Sequence, residues 1–246
     1  MESSHKIWWF LFSLLALVTF VFMYIRIEDG LSFTNLNNIV GWGLWVTFYV
    51  FFLGISVGLF LLYGIYQIFQ LHKFRVVAVI ALYSSFVSLL IGLFFIVIDI
   101  GHLGRFWTVF INRNLSSVLS WELHLYVLYI ALISSLLFLE MFLPEQQKYT
   151  ESNRLIWLIK NKNQVIMYLT YIGIPLAIAV HGGTGALFAV IKARAFWNSA
   201  IFPVIFLTSA ILSGIATITF LIGCFRNMIP IEKYIKPLSL IFLLRL

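Results

Sequence analysis

The sequence predicts an all-α fold, a polytopic bundle of transmembrane helices, and three observations support this class. Of the 246 residues, 62% are hydrophobic and only 10% are charged, whereas a soluble domain is about a quarter charged. Uncharged apolar runs of about 20 residues recur along the chain, and a helix of that length crosses a bilayer. These runs lack the alternation over about ten residues that is typical of strands in a membrane barrel. The composition therefore excludes a soluble globular domain.

The first predicted span covers about residues 7–26, because Ile7–Ile25 carries no charge between Lys6 and Arg26. A signal peptide is the alternative, but no small-residue cleavage site follows this run. A last apolar segment begins after Pro237 and is too short to cross, so we expect six spans and an incomplete seventh. The remaining five spans are predicted at about 43–70, 76–98, 121–144, 164–191 and 199–225.

The distribution of basic residues predicts the orientation of the chain. Ten lysines and arginines lie in the amino terminus and the loops after spans 2, 4 and 6, against five in the loops after spans 1, 3 and 5. Because cytoplasmic loops carry the excess of these residues, we expect a cytoplasmic amino terminus. The net charge of +7 is then loop charge, and we expect contact with the lipid bilayer and none with nucleic acid.

Ionisable residues concentrate between the third and fourth spans, near the predicted outer surface. A charge within a span costs about 2.5–3.5 kcal/mol on insertion scales, so it needs a compensating role. We expect Asp99 and Glu122, at the ends of apolar helices, to face inward toward Arg105 or the histidines. A solvated loop with interfacial aromatic anchors is the alternative. The candidate residues of this region are Asp99, His102, Arg105, Trp121, Glu122 and His124.

The fourth span carries a second polar pattern. Glu122 and Glu140 are 18 residues apart, which is five helical turns, so they share one face with Tyr126 and Tyr129 near it. One interpretation is a partial proton path in which water fills the gap. The other is two helix-end carboxylates with two packed tyrosines, and we favour it because nothing polar on this helix bridges Ile133 to Glu140.

The fifth span combines a proline and glycines with a buried histidine. Gly173-Ile-Pro175 and His181-Gly-Gly-Thr-Gly185 predict a kink or local unwinding. His181 lies about 16 Å inside Lys192 at 1.5 Å per residue, which makes it the deepest ionisable group. We favour a ligand or proton role for His181, with Thr184 beside it, over a purely structural one.

Four segments of the chain follow one another in an order that resembles a known family. They are Asn38–Gly58, Asp99-Ile-Gly-His-Leu-Gly-Arg105, Ser117–Trp121 and Gly173–His181. They resemble, in turn, the first core helix, the Asp-Leu-Gly-[Arg/His]-Pro segment, the Ser-x-x-x-Trp helix entry and the Gly-Ile-Pro-x-Ala-x-x-x-His helix of the NrfD/PsrC family. These proteins are membrane subunits of polysulfide-reductase-like respiratory complexes. Leu103 stands where the family commonly has proline.

The resemblance implies a quinone-interacting subunit of a multi-subunit oxidoreductase in a prokaryotic cytoplasmic (inner) membrane. A quinone, menaquinone or ubiquinone, would bind near the outer face, and the subunit would carry no haem or iron–sulfur cluster of its own. A ferredoxin-like iron–sulfur subunit with four clusters would dock on the outer face and connect to a molybdopterin or multihaem catalytic subunit. Taking the resemblance together with the residue pattern, we expect a quinone and proton site of Asp99, His102, Arg105, Trp121, Glu122, His124, Tyr126, His181 and Thr184, and the candidates for a proton path are Tyr129 and Glu140.

The family core has two four-helix bundles, which predicts the organisation of this chain. We expect a single membrane domain over residues 1–246, with a first helix at about 7–26. The first bundle would cover about 43–192, and 199–246 would begin the second. The sequence would then be either shortened or a short variant of the family.

Two other functions fit parts of the sequence. A b-type cytochrome anchor needs paired histidines that face each other across helices, and His124 and His181 are the candidates. A transporter would use a discontinuous helix such as the fifth span. No second broken helix matches it in an inverted half, which disfavours a transporter.

Overall fold

Six long helices make up most of the structure, which is a computed structural model. It describes residues 2–30, 34, 36, 41–101, 103–112, 114, 116–142 and 161–225. The long helices are α1 (Glu2–Asp29), α2 (Leu44–Ile68), α3 (Arg75–Asp99), α4 (Val118–Phe142), α5 (Lys162–Ala189) and α6 (Phe202–Phe225). No strand occurs among the described residues. All six helices contain a segment long and apolar enough to cross a membrane, which confirms the predicted class and the six spans.

The connections between the helices are short where they are described. Two 3-10 turns, His72–Phe74 and Leu103–Arg105, precede α3 and follow it, and a one-turn helix, Thr108–Ile111, leads toward α4. The segment after Pro237, where an incomplete seventh helix was predicted, lies outside the described residues. The cytoplasmic position of the amino terminus remains a prediction. Following that prediction, we call the end of the bundle with Asp99 the outer end and the end with Arg75 the inner end.

Helices α2 to α5 form a ring of four in which each helix packs against two neighbours. α2 packs against α3 and α5, and α4 completes the ring by packing against α5 and α3. α6 lies outside this ring against α2 and α5. α2 and α4 therefore face each other diagonally and meet through long side chains. The fully buried centre contains Leu53, Val57, Phe60, Leu82, Leu89, Tyr129, Ile133 and Leu136.

Small residues bring α2 and α6 together. A Cβ atom added at Gly58 would collide with the carbonyl oxygen of Ala210, and one at Gly214 would lie 2.5 Å from the carbonyl carbon of Gly58. In a membrane, helices associate through such close van der Waals packing, because lipid is as apolar as the side chains. Gly58 thus packs directly against α6, whereas Gly54, four residues earlier on α2, faces the ring of His181.

Helix α5 continues without interruption through Pro175 and the glycines that follow it. The predicted local unwinding is therefore wrong, and the kink given as its alternative stays a prediction. Proline and glycine are tolerated in a membrane helix when neighbouring helices support it, and here Gly173 is packed against Phe60 of α2 and Leu132 of α4. A Cβ atom at Gly173 would lie 2.5 Å from the Phe60 ring. The glycine thus serves close packing rather than a break in the helix.

Candidate functional site

A carboxylate lies inside the outer half of the helix ring, surrounded by hydroxyl groups. Glu122 of α4 is 1% exposed. Its Oε1 accepts hydrogen bonds from the hydroxyls of Tyr49 (3.0 Å), Thr184 (2.5 Å) and Tyr126. The hydroxyl of Tyr126 also contacts that of Tyr49 and lies 3.2 Å from the hydroxyl of Thr184. We call these four residues, which come from α2, α4 and α5, the Glu122 cluster.

The second oxygen of Glu122 distinguishes this cluster from a buried hydrogen-bond network in which every polar atom has a partner. Oε2 is buried and has no hydrogen-bond partner among the described residues. A buried charge normally has every polar atom paired, because an unpaired one costs several kcal/mol. An unpaired acceptor on a fixed side chain is suited to receive a proton or the hydroxyl of a ligand.

His181 lies one helical turn before Thr184 on α5, so it borders the Glu122 cluster. It is 2% exposed, and its Nδ1 has no hydrogen-bond partner within the described part of the chain. The ring packs at 5.5 Å between centroids against Phe206 of α6. On its other side, a Cβ atom at Gly54 would lie 3.2 Å from Nε2, so glycine leaves the space that the ring occupies.

The residues predicted between α3 and α4 occupy several different environments. Asp99, the last residue of α3, has a buried Oδ1 without a hydrogen-bond partner among the described residues, and it interacts electrostatically with Arg26. Arg105 and Trp121 are exposed. His124 is half-buried, with Nδ1 2.6 Å from the carbonyl oxygen of Ser120 and its ring edge-on to Phe110. His102 lies outside the described residues.

A second carboxylate lies in the inner half of the ring. Oε1 of Glu140 accepts hydrogen bonds from the hydroxyl of Tyr63 (3.0 Å) and from Nε2 of Gln67 (2.9 Å). Gln67 also donates to the hydroxyl of Tyr63 at 2.7 Å. We call these three residues the Glu140 cluster. Unlike Glu122, Glu140 is only half-buried.

A third polar group lies between the two carboxylate clusters. The hydroxyls of Ser56 and Ser85 are 3.2 Å apart, and Ser85 donates to the carbonyl oxygen of Ser56 at 2.8 Å. The hydroxyl of Tyr129 interacts with both serines but forms no hydrogen bond of normal geometry with any described residue. We call Ser56, Ser85 and Tyr129 the middle cluster.

The three clusters are aligned along one face of α2. Tyr49, Ser56 and Tyr63 follow one another at seven-residue intervals, each about 10 Å along the helix axis. Fully buried apolar side chains, including Phe60 and Ile133, separate the middle cluster from the Glu140 cluster. The polar levels are thus stacked through the bundle but are not joined by a continuous chain of described side chains.

Five residues of these clusters were not predicted from the sequence, namely Tyr49, Ser56, Tyr63, Gln67 and Ser85. Glu122, Tyr126 and Thr184 were named and do come together, but Tyr49 was not named. Its signal was the spacing of polar residues on α2, which places Tyr49, Ser56 and Tyr63 on one face of an otherwise apolar helix. Arg26 was used as the boundary of the first span, although the structure buries it beside Asp99.

Comparison with known proteins gives a consistent set of similarities. Residues 32–242 match the family model described as polysulphide reductase, NrfD. The chain is 35% identical to a selenate reductase subunit of Mesobacillus selenatarsenatis over 89% of this chain and 57% of that protein. It is 26% identical to the Hdr-like menaquinol oxidoreductase integral membrane subunit of Archaeoglobus fulgidus, over 93% of this chain and 54% of that protein. The chain therefore spans about half the length of these relatives.

Proposed function

The chain belongs to the NrfD family, and we propose that it is a membrane-anchor subunit that binds quinone or quinol near the outer end of its helix ring. The Glu122 cluster is the observation that carries this proposal. It combines a fully buried carboxylate, held by three hydroxyls on one oxygen, with a second oxygen that has no partner among the described residues. Such a carboxylate can bind the polar end of a ligand inside an otherwise apolar bundle.

The chemistry of a quinol fits the unpaired atoms of this region. Oxidation of a quinol releases two electrons and two protons, so its site needs proton acceptors. Oε2 of Glu122 can accept a hydrogen bond and then a proton from one quinol hydroxyl, and Asp99 is the candidate acceptor for the second. The unpaired Nδ1 of His181 can exchange a proton with a quinone oxygen. The three hydroxyls around Glu122 keep the carboxylate in a fixed orientation for this exchange.

The electrons would pass to a partner subunit, since this chain contains one cysteine and a Cys-ligated cluster needs several. We propose a ferredoxin-like subunit with four iron–sulfur clusters at the outer end, joined to a molybdopterin or multihaem catalytic subunit. One relative is named as a selenate reductase subunit, and another is named as a menaquinol oxidoreductase subunit. These names support menaquinol as the quinol and a reductase complex in a prokaryotic cytoplasmic membrane as the setting.

We also propose that the middle cluster and the Glu140 cluster form a proton path between the Glu122 cluster and the inner end. The support is the stacking of three polar levels on one face of α2, with hydroxyls at the middle level and a half-buried carboxylate at the inner level. Water molecules must complete the path past Phe60 and Ile133. The buried hydroxyl of Tyr129, which lacks a hydrogen bond to any described residue, is a suitable contact for one of them.

Quinol turnover by the complete complex in membranes tests the main proposal. We expect Glu122→Gln to lower the rate of quinol oxidation by about 100-fold or more, the range for removing a general acid–base group. Glutamine keeps an oxygen for the three hydroxyls but replaces the free acceptor with an NH₂ donor. Glu140→Gln is expected to lower the rate less than tenfold, since Glu140 lies outside the proposed quinol site.

The matched control is Glu28→Gln, the same change at an exposed position near the end of α1. Its turnover should equal that of the wild type. Each variant is first quantified in the membrane, so that loss of protein is separated from loss of turnover. A wild-type rate for Glu122→Gln would refute the proposed site.

A further inference from the structure

One buried charge plays no part in the function proposed above. Arg26, near the end of α1, is 7% exposed, whereas the apolar side chains before it on α1 are largely exposed. Burying an arginine is costly unless its donors are satisfied. Nη2 of Arg26 lies 3.5 Å from the carbonyl oxygen of Asp99 and 3.4 Å from that of Ile100, and donates to both. These carbonyls close the carboxyl-terminal end of α3, where the helix dipole favours a cation.

Two polar atoms at this junction remain unpaired and are complementary in chemistry. Nε of Arg26 is a buried donor and Oδ1 of Asp99 is a buried acceptor, each without a hydrogen-bond partner among the described residues. The two side chains nonetheless interact electrostatically. A hydroxyl group can both accept from such a donor and donate to such an acceptor, so the junction is suited to an oxygen-bearing ligand.

The backbone at this point also favours close approach of the two helix ends. Gly30, which follows α1, has φ 65° in the left-handed region, which glycine adopts readily. A Cβ atom at Gly30 would lie 3.6 Å from the carbonyl oxygen of Gly101, so the two turns are in contact distance. Residues 2–30 precede the segment matched by the family, 32–242. Arg26 therefore comes from a helix outside that segment.

We propose that Arg26 is a positioning residue of the quinone site, whose guanidinium anchors the end of α3 through the carbonyl oxygens of Asp99 and Ile100 and so places the carboxylate of Asp99 beside the bound quinol. This inference rests on the proposed function. The carboxylate of Asp99 takes one proton from a quinol hydroxyl, Glu122 takes the other, and the two electrons leave to the one-electron iron–sulfur acceptors of the partner subunit. Helix α1 thereby supplies part of the site in addition to a lipid-exposed span.

A double-mutant cycle in the complete complex tests this role, with kcat and KM for quinol measured separately. We expect Arg26→Gln to lower kcat about tenfold, which corresponds to about 1.4 kcal/mol of lost transition-state stabilisation. Arg26→Lys keeps the charge and should retain most of the activity. Asp99→Asn should be at least as slow as Arg26→Gln, and the double variant no slower than Asp99→Asn, because Arg26 then has no carboxylate to orient.

The control is Lys6→Gln, which removes a cation from the opposite end of α1 and should leave kcat unchanged. If Arg26→Gln does not accumulate in the membrane, Arg26→Met, which is compatible with an apolar span, must give the same kcat loss. Multiplicative losses in the double variant would show a merely structural role and overturn the inference. A wild-type kcat for Arg26→Gln, together with a lowered kcat for Asp99→Asn, would also overturn the inference. Wild-type rates for both Asp99→Asn and Glu122→Gln would instead refute the proposed function.

Discussion

The two carboxylates of α4 share one face of the helix but lie in different surroundings. Glu122 is fully buried, and its hydroxyl donors come from three helices, α2, α4 and α5. Glu140 is half-buried, and its two donors, Tyr63 and Gln67, are one turn apart on α2 alone. One oxygen of Glu122 is left without a partner among the described residues. These surroundings are the reason why we assign the outer carboxylate to the proposed ligand site and the inner one to the proposed proton path.

Two carboxylates on one face of a helix can therefore have different surroundings. Both carboxylates accept a tyrosine hydroxyl at 3.0 Å from α2. The difference comes from α5, which brings Thr184 to Glu122 and, one turn earlier, His181 to the edge of the same cluster. Assembly of three helices around one carboxylate excludes water there and raises the strength of each polar contact. The expected effects of substitution therefore decrease from the outer to the inner cluster.

After the loss expected for Glu122→Gln itself, the next largest effect concerns the tyrosines that hold each carboxylate. Tyr126→Phe removes a hydroxyl that contacts Glu122, Tyr49 and Thr184 together. We expect it to lower quinol turnover about tenfold, since hydrogen bonds to charged groups contribute about 1.5–3 kcal/mol. Tyr63→Phe, the matched change at Glu140, should lower turnover about twofold. Equal effects of the two variants would contradict the distinction between the clusters.

A smaller effect is expected at the middle cluster, and it concerns protons rather than electrons. Tyr129→Phe should slow proton exchange with the inner side of vesicles about threefold, within the 0.5–1.5 kcal/mol of one neutral hydrogen bond. A trapped pH indicator in vesicles containing the complete complex measures this rate. Ser135→Ala is the control, because it removes an exposed hydroxyl from the same helix. The proton path would be refuted if Tyr129→Phe and Glu140→Gln both left the inner-side rate unchanged.

The sequence predicted the spans well because their physical signal is strong. A charge-free run bounded by lysine or arginine limits where a span can lie in the sequence, and each predicted span overlaps an observed helix. Glu122 and His181 stand out as candidates for a related reason, since an ionisable residue within an apolar helix requires compensation. The unwinding predicted at Pro175 was wrong because intrinsic helix preferences do not include the support that α5 receives from α2 and α4.

The remaining site residues depend on packing that the sequence does not display directly. Tyr49, Ser56 and Tyr63 add little polarity to α2, and only their seven-residue spacing marked a common face. The sequence did not show which helix this face would meet, because that depends on the diagonal arrangement of α2 and α4 in the ring. Arg26 marked the boundary of the first span because arginine usually ends a span, and its burial against the end of α3 is a tertiary contact.

In the proposed quinone site, Glu122 must change its protonation when quinol is oxidised. Infrared difference spectra of the complete complex, recorded on addition of quinol, report the carbonyl stretch of a carboxyl group that gains or loses a proton. We expect such a band in the wild type and in Glu140→Gln, and its loss in Glu122→Gln. A band that persists unchanged in Glu122→Gln would contradict the assignment of this carboxylate to the quinone site.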